Sequence, residues 1–210
     1  MTISFWLILL AVLAYGLLHS LLASLTTKAR ARQWIVPGSD RWFRLGYNLI
    51  AVFTLLPILF LPILLIDKEI YAIHFPWVLL TLAGQLLAII VGIASLRQTG
   101  ISSFVGLRQL FLPEVTSPPR LVTDGLYRFV RHPLYTAGLV FIWLLPILTW
   151  NLLALNIGLT AYVFIGAYFE ERKLLLEFGE PYAEYRQRTP MLIPGIRFPF
   201  HRSNNFSRHL

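Results

Sequence analysis

Runs of about 20 apolar residues constrain this chain more than any other feature. Three runs cover Ile3–Leu25, Leu45–Ile66 and Trp77–Leu96. A helix rises 1.5 Å per residue, so each run matches the roughly 30 Å hydrocarbon core of a bilayer. A fourth run, Leu134–Phe169, would measure about 54 Å as one helix, which is too long for a single crossing. We therefore expect it to fold back at "TWN", Thr149–Asn151, into two spans of about 17 residues each.

The overall composition supports a membrane class. The 210 residues are 57% hydrophobic and 13% charged, whereas soluble domains average about 25% charged residues. The prediction is an all-α integral membrane protein with five transmembrane helices, the last two forming a tight hairpin. The first run lacks a basic start and a cleavage site, so we expect a retained anchor rather than a signal peptide. The absence of cysteine excludes disulfides, thiolate metal sites and a cysteine nucleophile.

The distribution of basic residues predicts the orientation. Of the 18 Lys and Arg residues, all but Lys68 fall on one side of the five-span arrangement. Short basic loops stay in the cytosol, so we expect the amino terminus outside and the carboxyl terminus inside. The net charge of +8 is interleaved with apolar runs, which suits membrane-facing loops better than a nucleic-acid surface. The largest parts outside the membrane are then the cytosolic loop Arg97–Arg131 and the segment after Phe169. The end of the chain, 195–210, is expected to be a mobile tail.

The stretch "TDGLYRFVRHPLY" combines a turn, basic residues and a helix start. Asp124-Gly125 favours a turn, and Pro133 is well suited to the first position of a helix. The exposed amides of that helix would lie beside Arg131 and His132, where a carboxylate or phosphate is favoured. The alternative is that these cations only follow the positive-inside rule while Pro133 starts a helix.

Two acidic residues follow the last span. Glu170 and Glu171 lie where that span meets the interface, and carboxylates at this depth are costly unless they face a polar cavity or a partner. A cavity is one interpretation. The other is a solvated helix end, in which the carboxylates pair with Arg172 or Lys173.

A short helix is predicted beyond these acids. Phe178-Gly179 is typical of a helix end, and Glu180-Pro181 is typical of the start of a short amphipathic helix carrying Tyr182 and Tyr185. We expect this helix to cap a cytosolic site.

These motifs carry a family resemblance. The order "LVTDGLYRFVRHPLYTAG", a hydrophobic hairpin, then "EERKLLLEFGEPYAEYRQRTPMLIP" closely resembles the catalytic half of the isoprenylcysteine carboxyl methyltransferase and phospholipid methyltransferase superfamily. The match covers about residues 119–194. "RHPLY", "EER", "FGEPYAEYR" and "TPMLIP" look most like the methanethiol S-methyltransferase branch. "LHSLLASLTTKA" and "RWFRLGYNLIA" are similar to the amino-terminal half that this branch shares with the NnrU-type membrane proteins.

The resemblance implies a methyltransferase that uses S-adenosyl-L-methionine, without a Rossmann domain and without a metal. No glycine-rich dinucleotide fingerprint occurs in the sequence, which fits. Carried over position by position, the cofactor contacts fall on Arg120, Leu121, Val122, Tyr127, His132, Pro133, Leu134, Tyr135 and Glu170.

The sequence departs from the prenyl-cysteine enzymes at two places. Pro119-Arg120 stands where the eukaryotic enzymes have His-Thr, and Gly166 stands where they have an arginine for the substrate. Both departures weaken an isoprenylcysteine assignment.

The chemistry implied by the resemblance needs an activated acceptor. A thiol, with a pKa of about 8.5, must be deprotonated or nearly so before it attacks a sulfonium methyl group. Arg131, His132 and ordered water are the candidates for helping, and Arg131, His132 and Glu170 are the predicted catalytic residues. His19 is the other buried ionisable group. An intramembrane histidine is a functional hypothesis by default, but a hydrogen bond to Ser20, Ser24 or a neighbouring helix is the favoured role.

Three functions remain open on the sequence. The first is methylation of a small lipophilic thiol such as methanethiol, and the second is methylation of a prenylcysteine or lipid acceptor. The third is a non-enzymatic NnrU-like accessory protein, which has no evident need for the cofactor residues. We expect residues 1–96 to form an NnrU-like half, residues 97–194 to form the catalytic half, and the protein to lie among lipids of a prokaryotic plasma membrane.

Overall fold

The computed structural model describes residues 2–23, 40–99 and 121–196, with side chains of the second segment described from Gly46 onward. These segments are mostly helical, and their helices and strands follow one another in chain order. They are α1 (Ile3–Ala23), α2 (Asp40–Leu64), β1 (Glu69–Ala72), α3 (Val78–Thr99), a 3₁₀ turn (Gly125–Arg128), α4 (Pro133–Trp143), β2 (Ile147–Thr149), α5 (Trp150–Phe178) and α6 (Glu180–Arg188).

Four of the described helices are long and apolar enough to cross a membrane: α1, α2, α3 and α5. Many of their large apolar side chains face outward, as Leu13, Ile63 and Leu80 do. Water would not tolerate so much contiguous apolar surface, whereas lipid tails cover it without cost. The chain is therefore a mostly helical membrane protein, as the sequence predicts.

The predicted pair of equal spans is wrong in its lengths. α4 has 11 residues, about 16 Å of helix, and is too short to cross the hydrocarbon core alone. The chain continues through Leu144–Pro146 as irregular backbone into β2. α5 has 29 residues, about 43 Å, and runs past the predicted end at Phe169. The count of five transmembrane helices therefore stays a prediction.

A two-stranded antiparallel sheet joins the loop after α2 to the turn before α5, a feature that the all-α prediction did not include. β1 pairs with β2, with Tyr71 opposite Leu148. The same turn closes the start of α5, because the amide of Trp150 donates to the carbonyl of Lys68 and the amide of Leu152 donates to Thr149. This end of the molecule is stabilised by main-chain pairing and helix capping.

The amino-terminal helices brace the carboxyl-terminal ones. α1 packs along α5, and a small apolar core of five side chains forms where they meet: Phe5, Ile8, Val12, Ala154 and Leu155. α3 packs along α4, and the Gln85 side chain donates to the carbonyl of Phe141. The short α4 is thus held in place by α3.

The chain turns back after α5. α5 ends at Phe178 and Gly179 follows with φ of +60°, a conformation that glycine adopts at little cost. α6 then begins at Glu180, with Pro181 in its first turn. These boundaries confirm the helix end and helix start that the sequence predicts. The segment after α6, up to Ile196, returns to the start of α4, whereas the predicted mobile tail lies mostly outside the described residues.

Candidate active site

The Arg-His-Pro stretch is held by the chain that follows α6. The amide of Arg131 donates to the carbonyl of Pro190 over 2.9 Å, and the amide of His132 donates to the carbonyl of Met191 over 3.1 Å. α4 begins at Pro133 with His132 as its N-cap residue, which confirms the predicted helix start. Two stretches far apart in sequence therefore meet at one end of the bundle and fix the backbone of His132.

A buried ion pair lies directly behind this backbone. Nε of Arg131 donates to Oε1 of Glu171 over 2.6 Å, with side-chain exposures of 5% and 2%. The Arg131 guanidinium also donates to the carbonyls of Arg186 and Thr189. Removing one partner of such a pair leaves a buried charge and costs about 3–5 kcal/mol. Arg131 therefore ties α4 to α5 and to the end of α6.

The two adjacent glutamates have different surroundings. Neighbouring residues on a helix point about 100° apart, so only one of them faces the buried pair. Glu171 is buried against Arg131, whereas the side chain of Glu170 keeps 43% of its surface exposed. For Glu171 the interpretation as a solvated helix end paired with Arg172 or Lys173 is wrong, since its partner is Arg131. Glu170 is the carboxylate that remains accessible.

Glu170 lies beside two aromatic side chains of the α4 start. The Tyr135 hydroxyl donates to Oε2 of Glu170 over 2.8 Å, and Nδ1 of His132 lies 3.7 Å from the same oxygen. The His132 and Tyr135 rings stack with centroids 5.4 Å apart and planes 16° apart. The carboxylate, the imidazole and the phenol form one accessible polar group, which we call the Glu170 cluster.

Several buried polar atoms around the cluster have no hydrogen-bond partner among the described residues. They are Nε2 of His132, Oε2 of Glu171 and the hydroxyl of Tyr182. Burial raises the pKa of Tyr182, and the negative charge of Glu171 raises it further, so its phenol stays protonated and able to donate. Unpaired polar atoms at such a depth are rare in folded proteins. These atoms are therefore still able to form hydrogen bonds to a ligand.

The 3₁₀ turn and α6 form the other wall of this region. Gly125 has φ of +59°, as the predicted Asp124-Gly125 turn requires. The Tyr127 hydroxyl lies 3.3 Å from Oγ of Ser95 on α3, and the Tyr185 hydroxyl of α6 donates to the Tyr127 carbonyl over 2.6 Å. Tyr127 is thereby fixed between α3 and α6.

The structure brings only part of the predicted cofactor set into direct contact. His132, Tyr135 and Glu170 touch one another. Pro133 is fully buried, and Leu134 lies near Gly92 of α3.

The remaining predicted positions precede the 3₁₀ turn. Leu121 and Val122 are half-buried there. Arg120 lies outside the described residues. Their contacts to a cofactor stay predictions.

A polar group inside the helices has a structure that the sequence did not resolve. Nδ1 of His19 lies 2.5 Å from the Tyr162 hydroxyl of α5, and Nε2 contacts the Tyr47 hydroxyl of α2. Tyr15 stacks on the imidazole, with centroids 5.7 Å apart. The favoured prediction of a bond to a neighbouring helix is confirmed. Tyrosines in apolar spans are a usable signal for such partners, since a buried phenol needs one. We call these four residues the His19 cluster.

Comparison with known proteins identifies relatives of this chain. Residues 77–180 match the phospholipid methyltransferase family. Methanethiol S-methyltransferase 1 of Bradyrhizobium diazoefficiens is 44% identical over 81 residues, which are 39% of this chain and 28% of that protein. Methanethiol S-methyltransferase 2 of the same organism is 36% identical over 110 residues, 51% of this chain and 42% of that protein. The chain thus spans less than half the length of these two relatives.

A longer match exists in a Pseudomonas species. Its methanethiol S-methyltransferase is 31% identical over 199 residues, which cover 88% of this chain and 74% of that protein. A more distant relative is the protein-S-isoprenylcysteine O-methyltransferase of Schizosaccharomyces pombe, 40% identical over 81 residues, 36% of this chain and 34% of that protein. The similarity therefore includes both halves of the chain.

Proposed function

Because this chain belongs to the membrane methyltransferase family that includes the methanethiol S-methyltransferases, we propose that it methylates the sulfur of a small lipophilic thiol such as methanethiol. The observation that supports this most directly is the Glu170 cluster. It offers a half-exposed carboxylate, an imidazole and a phenol at the end of an apolar bundle. We propose S-adenosyl-L-methionine as the methyl donor.

The chemistry of the described residues fits this donor. It carries positive charge on its sulfonium and amino groups, together with two ribose hydroxyl groups. Glu170 supplies an accessible negative charge, and a carboxylate bonds to cations and hydroxyl groups roughly twice as strongly as a neutral acceptor does. Nε2 of His132 and the hydroxyl of Tyr182, which lack hydrogen-bond partners among the described residues, offer further hydrogen bonds beside it. We propose that Glu170, His132 and Tyr135 hold the donor, with Tyr127 and the predicted positions 120–122 nearby.

When bound, the donor supplies a methyl group whose bond to a positive sulfur breaks as the acceptor's sulfur forms its new bond. The chain's own contribution is to exclude water and to orient the acceptor. A low dielectric favours the union of opposite charges, so an apolar pocket suits this reaction.

We assign Arg131 a positioning role rather than the catalytic one that the sequence predicts. Its guanidinium is nearly fully buried and is bonded to Glu171 and two carbonyl groups. It therefore holds the backbone of His132, while His132 and Glu170 face the donor.

The alternative acceptor is a prenylcysteine or a lipid amine. A prenylcysteine carboxylate needs a charge-assisted donor in a membrane pocket. At Gly166, where the prenyl-cysteine enzymes carry an arginine, no atom lies within 4 Å of the position that a Cβ would occupy. A compact, uncharged acceptor fits this surrounding better. An accessory role without catalysis gives no reason for the Glu170 cluster.

The place of the protein in the cell follows from the charge distribution. We propose that the Glu170 cluster faces the cytosol of a prokaryote, where S-adenosylmethionine is made, and that the amino terminus lies outside. Residues 1–96 would then supply membrane helices to a catalytic half at residues 97–194, with α6 as a cap over the site.

Binding of the demethylated donor tests the site. Calorimetry with S-adenosylhomocysteine should show affinity reduced roughly 10- to 100-fold in His132→Ala and in Glu170→Ala, since a bond to a charged group contributes about 1.5–3 kcal/mol. Glu184→Ala is the matched control, because Glu184 is 60% exposed on α6. Equal affinity in all four proteins would refute the assigned site.

Turnover tests the acceptor. The purified full chain is incubated with methyl-labelled donor and a panel of small thiols, a farnesylated cysteine and lipid amines. We expect volatile labelled thioether from methanethiol, lost in Glu170→Ala. Turnover of the farnesylated cysteine without turnover of any thiol would transfer the assignment to the alternative.

A further inference from the structure

The His19 cluster needs an explanation beyond packing. An ionisable residue within apolar helices is costly and is retained mainly where it has a function or a pairing partner. Here both imidazole nitrogens contact hydroxyl groups, from Tyr47 and Tyr162. A neutral imidazole has one N–H donor and one lone-pair acceptor. One of the two tyrosines therefore accepts from His19, and the other donates its phenolic proton to it.

This arrangement is able to relay a proton. The phenol that donates to His19 keeps lone pairs on its oxygen, and these can accept a proton from a third molecule. As that proton arrives, the phenolic proton moves to the imidazole. The tyrosine is unchanged at the end, and the imidazole carries one more proton.

The His19 cluster lies close to the Glu170 cluster. Tyr162 and Glu170 are both on α5, eight residues apart, which corresponds to about 12 Å along the helix axis. Tyr135, whose hydroxyl donates to Glu170, lies within electrostatic range of both Tyr162 and Tyr47.

The packing of α1 brings His19 to this position. A Cβ at Gly16 would meet the Tyr162 ring at 3.3 Å, so the absence of a side chain at Gly16 allows α1 and α5 to approach closely. Among the described charged groups, Lys173 of α5 acts electrostatically on His19.

Arg131 and His132 are poorly placed to take a proton from the acceptor. Arg131 is permanently protonated and buried in its ion pair. His132 lies 3.7 Å from Glu170 and 3.4 Å from Glu171, so both of its ring nitrogens already face carboxylates. His19 faces three tyrosines instead, which is the surrounding of a neutral imidazole.

We propose that His19, Tyr47 and Tyr162 form the acceptor side of the active site and remove the proton of the thiol. This inference rests on the thiol-methylating function proposed above. The S–H bond breaks and its electron pair stays on sulfur. The proton passes to the phenolic oxygen, the phenolic proton passes to His19, and the resulting imidazolium later loses its proton to water.

Kinetics with the full chain test the proposal. His19→Gln and Tyr162→Phe should reduce kcat for an alkyl thiol roughly 100-fold or more, as loss of general-base catalysis does. A more acidic arenethiol, which ionises without help, should recover most of the rate in His19→Gln. His74→Gln is the matched control, since His74 lies exposed in the loop before α3. S-adenosylhomocysteine affinity should stay unchanged in every one of these variants and reports whether each variant is folded.

A second measurement needs no turnover. A chromogenic arenethiol whose thiolate absorbs in the visible is bound to the protein without a methyl donor, and the thiolate signal is followed with pH. With His19 present, the imidazolium stabilises the bound thiolate and the apparent pKa of the bound thiol is low. In His19→Gln the desolvated thiol should titrate at a higher pH.

The outcomes distinguish a failure of the proposed role of His19 from a failure of the proposed function. If the unaltered protein methylates thiols but His19→Gln keeps its rate, its dependence on thiol acidity and its thiolate signal, the role of His19 is wrong and the proposed function stands. If the unaltered protein methylates no thiol at all, the proposed function fails, and this inference fails with it.

Discussion

Glu170 and Glu171 are adjacent in the chain but differ in burial and in partners. Glu171 neutralises Arg131 in the interior, and Glu170 remains open to a ligand. The "EER" motif predicts acidic residues at the interface, but it does not indicate which of them is buried. That choice depends on Arg131, 40 residues earlier in the chain, and on how α4 is placed against α5. The sequence therefore left the partner of Glu171 open, and the assignment of Glu170 and His132 to the active site stays a prediction.

The buried pair makes a prediction at this scale. Glu171→Gln keeps the shape of the side chain but removes its charge, so Arg131 is left buried without a counter-ion. We expect the free energy of unfolding to fall by about 3 kcal/mol or more, seen as a lower Tm of the purified protein in detergent.

The exposed pair on α6 provides the control. Glu184 and Arg188 lie 3.3 Å apart with exposures of 60% and 75%, and Glu184→Gln should change stability by less than about 1 kcal/mol. The double variant Arg131→Leu with Glu171→Leu should recover part of the loss. Equal Tm values for Glu171→Gln and Glu184→Gln would contradict the assigned importance of the buried pair.

At the scale of elements, the fourth apolar run shows where the sequence is informative and where it is not. Its length correctly required a reversal. The break comes earlier than expected, because Pro146 lacks an amide proton and disfavours helical backbone at the residue before it. α4 ends at Trp143, and the following residues pair with β1. The partner strand is about 75 residues away along the chain, so no local sequence pattern predicts the pairing of β1 with β2.

The start of α5 gives a prediction that isolates a helix cap. The Thr149 side chain accepts from the amide of Leu152 over 3.2 Å. Thr149→Ala removes this acceptor and should reduce the free energy of unfolding by about 1 kcal/mol. Thr149→Ser keeps the oxygen and should retain most of the stability. Denaturation of both variants in the same detergent makes the comparison, and an equal loss in the two would show that the cap is not the cause.

At the scale of the whole molecule, the class of protein and the first three long spans followed from the apolar runs alone, whereas the length of α5 did not. The order in which the helices pack against one another did not follow from the apolar runs. α1 lies on α5 and α3 lies on α4, so helices of the predicted amino-terminal half support each helix that carries the Glu170 cluster. Close contacts such as Gly158 of α5 against Val12 of α1 depend on residue size at two distant positions, which one sequence does not reveal.

Topology is testable because the chain has no cysteine. Single cysteines at positions 70 and 147 should be labelled from the same side, since β1 and β2 are paired. A cysteine at position 184 on α6 should be labelled from the other side, which the basic residues predict to be the cytosol. Labelling of positions 70 and 184 from one side would refute this arrangement of the helices. Thiol reagents of low membrane permeability, applied to intact cells and to inverted vesicles, distinguish the sides.

The hydrogen bonds from Arg131 and His132 to Pro190 and Met191 have a consequence for biosynthesis. The ribosome releases the chain in order, so the segment that holds His132 emerges after α1 to α5. The carbonyl of Thr189, which receives the Arg131 guanidinium, comes 58 residues after its donor. The Glu170 cluster therefore lacks this support until the final segment of the chain has emerged. Under the proposed function, methyl transfer would begin only after that segment has folded back onto the inserted helices.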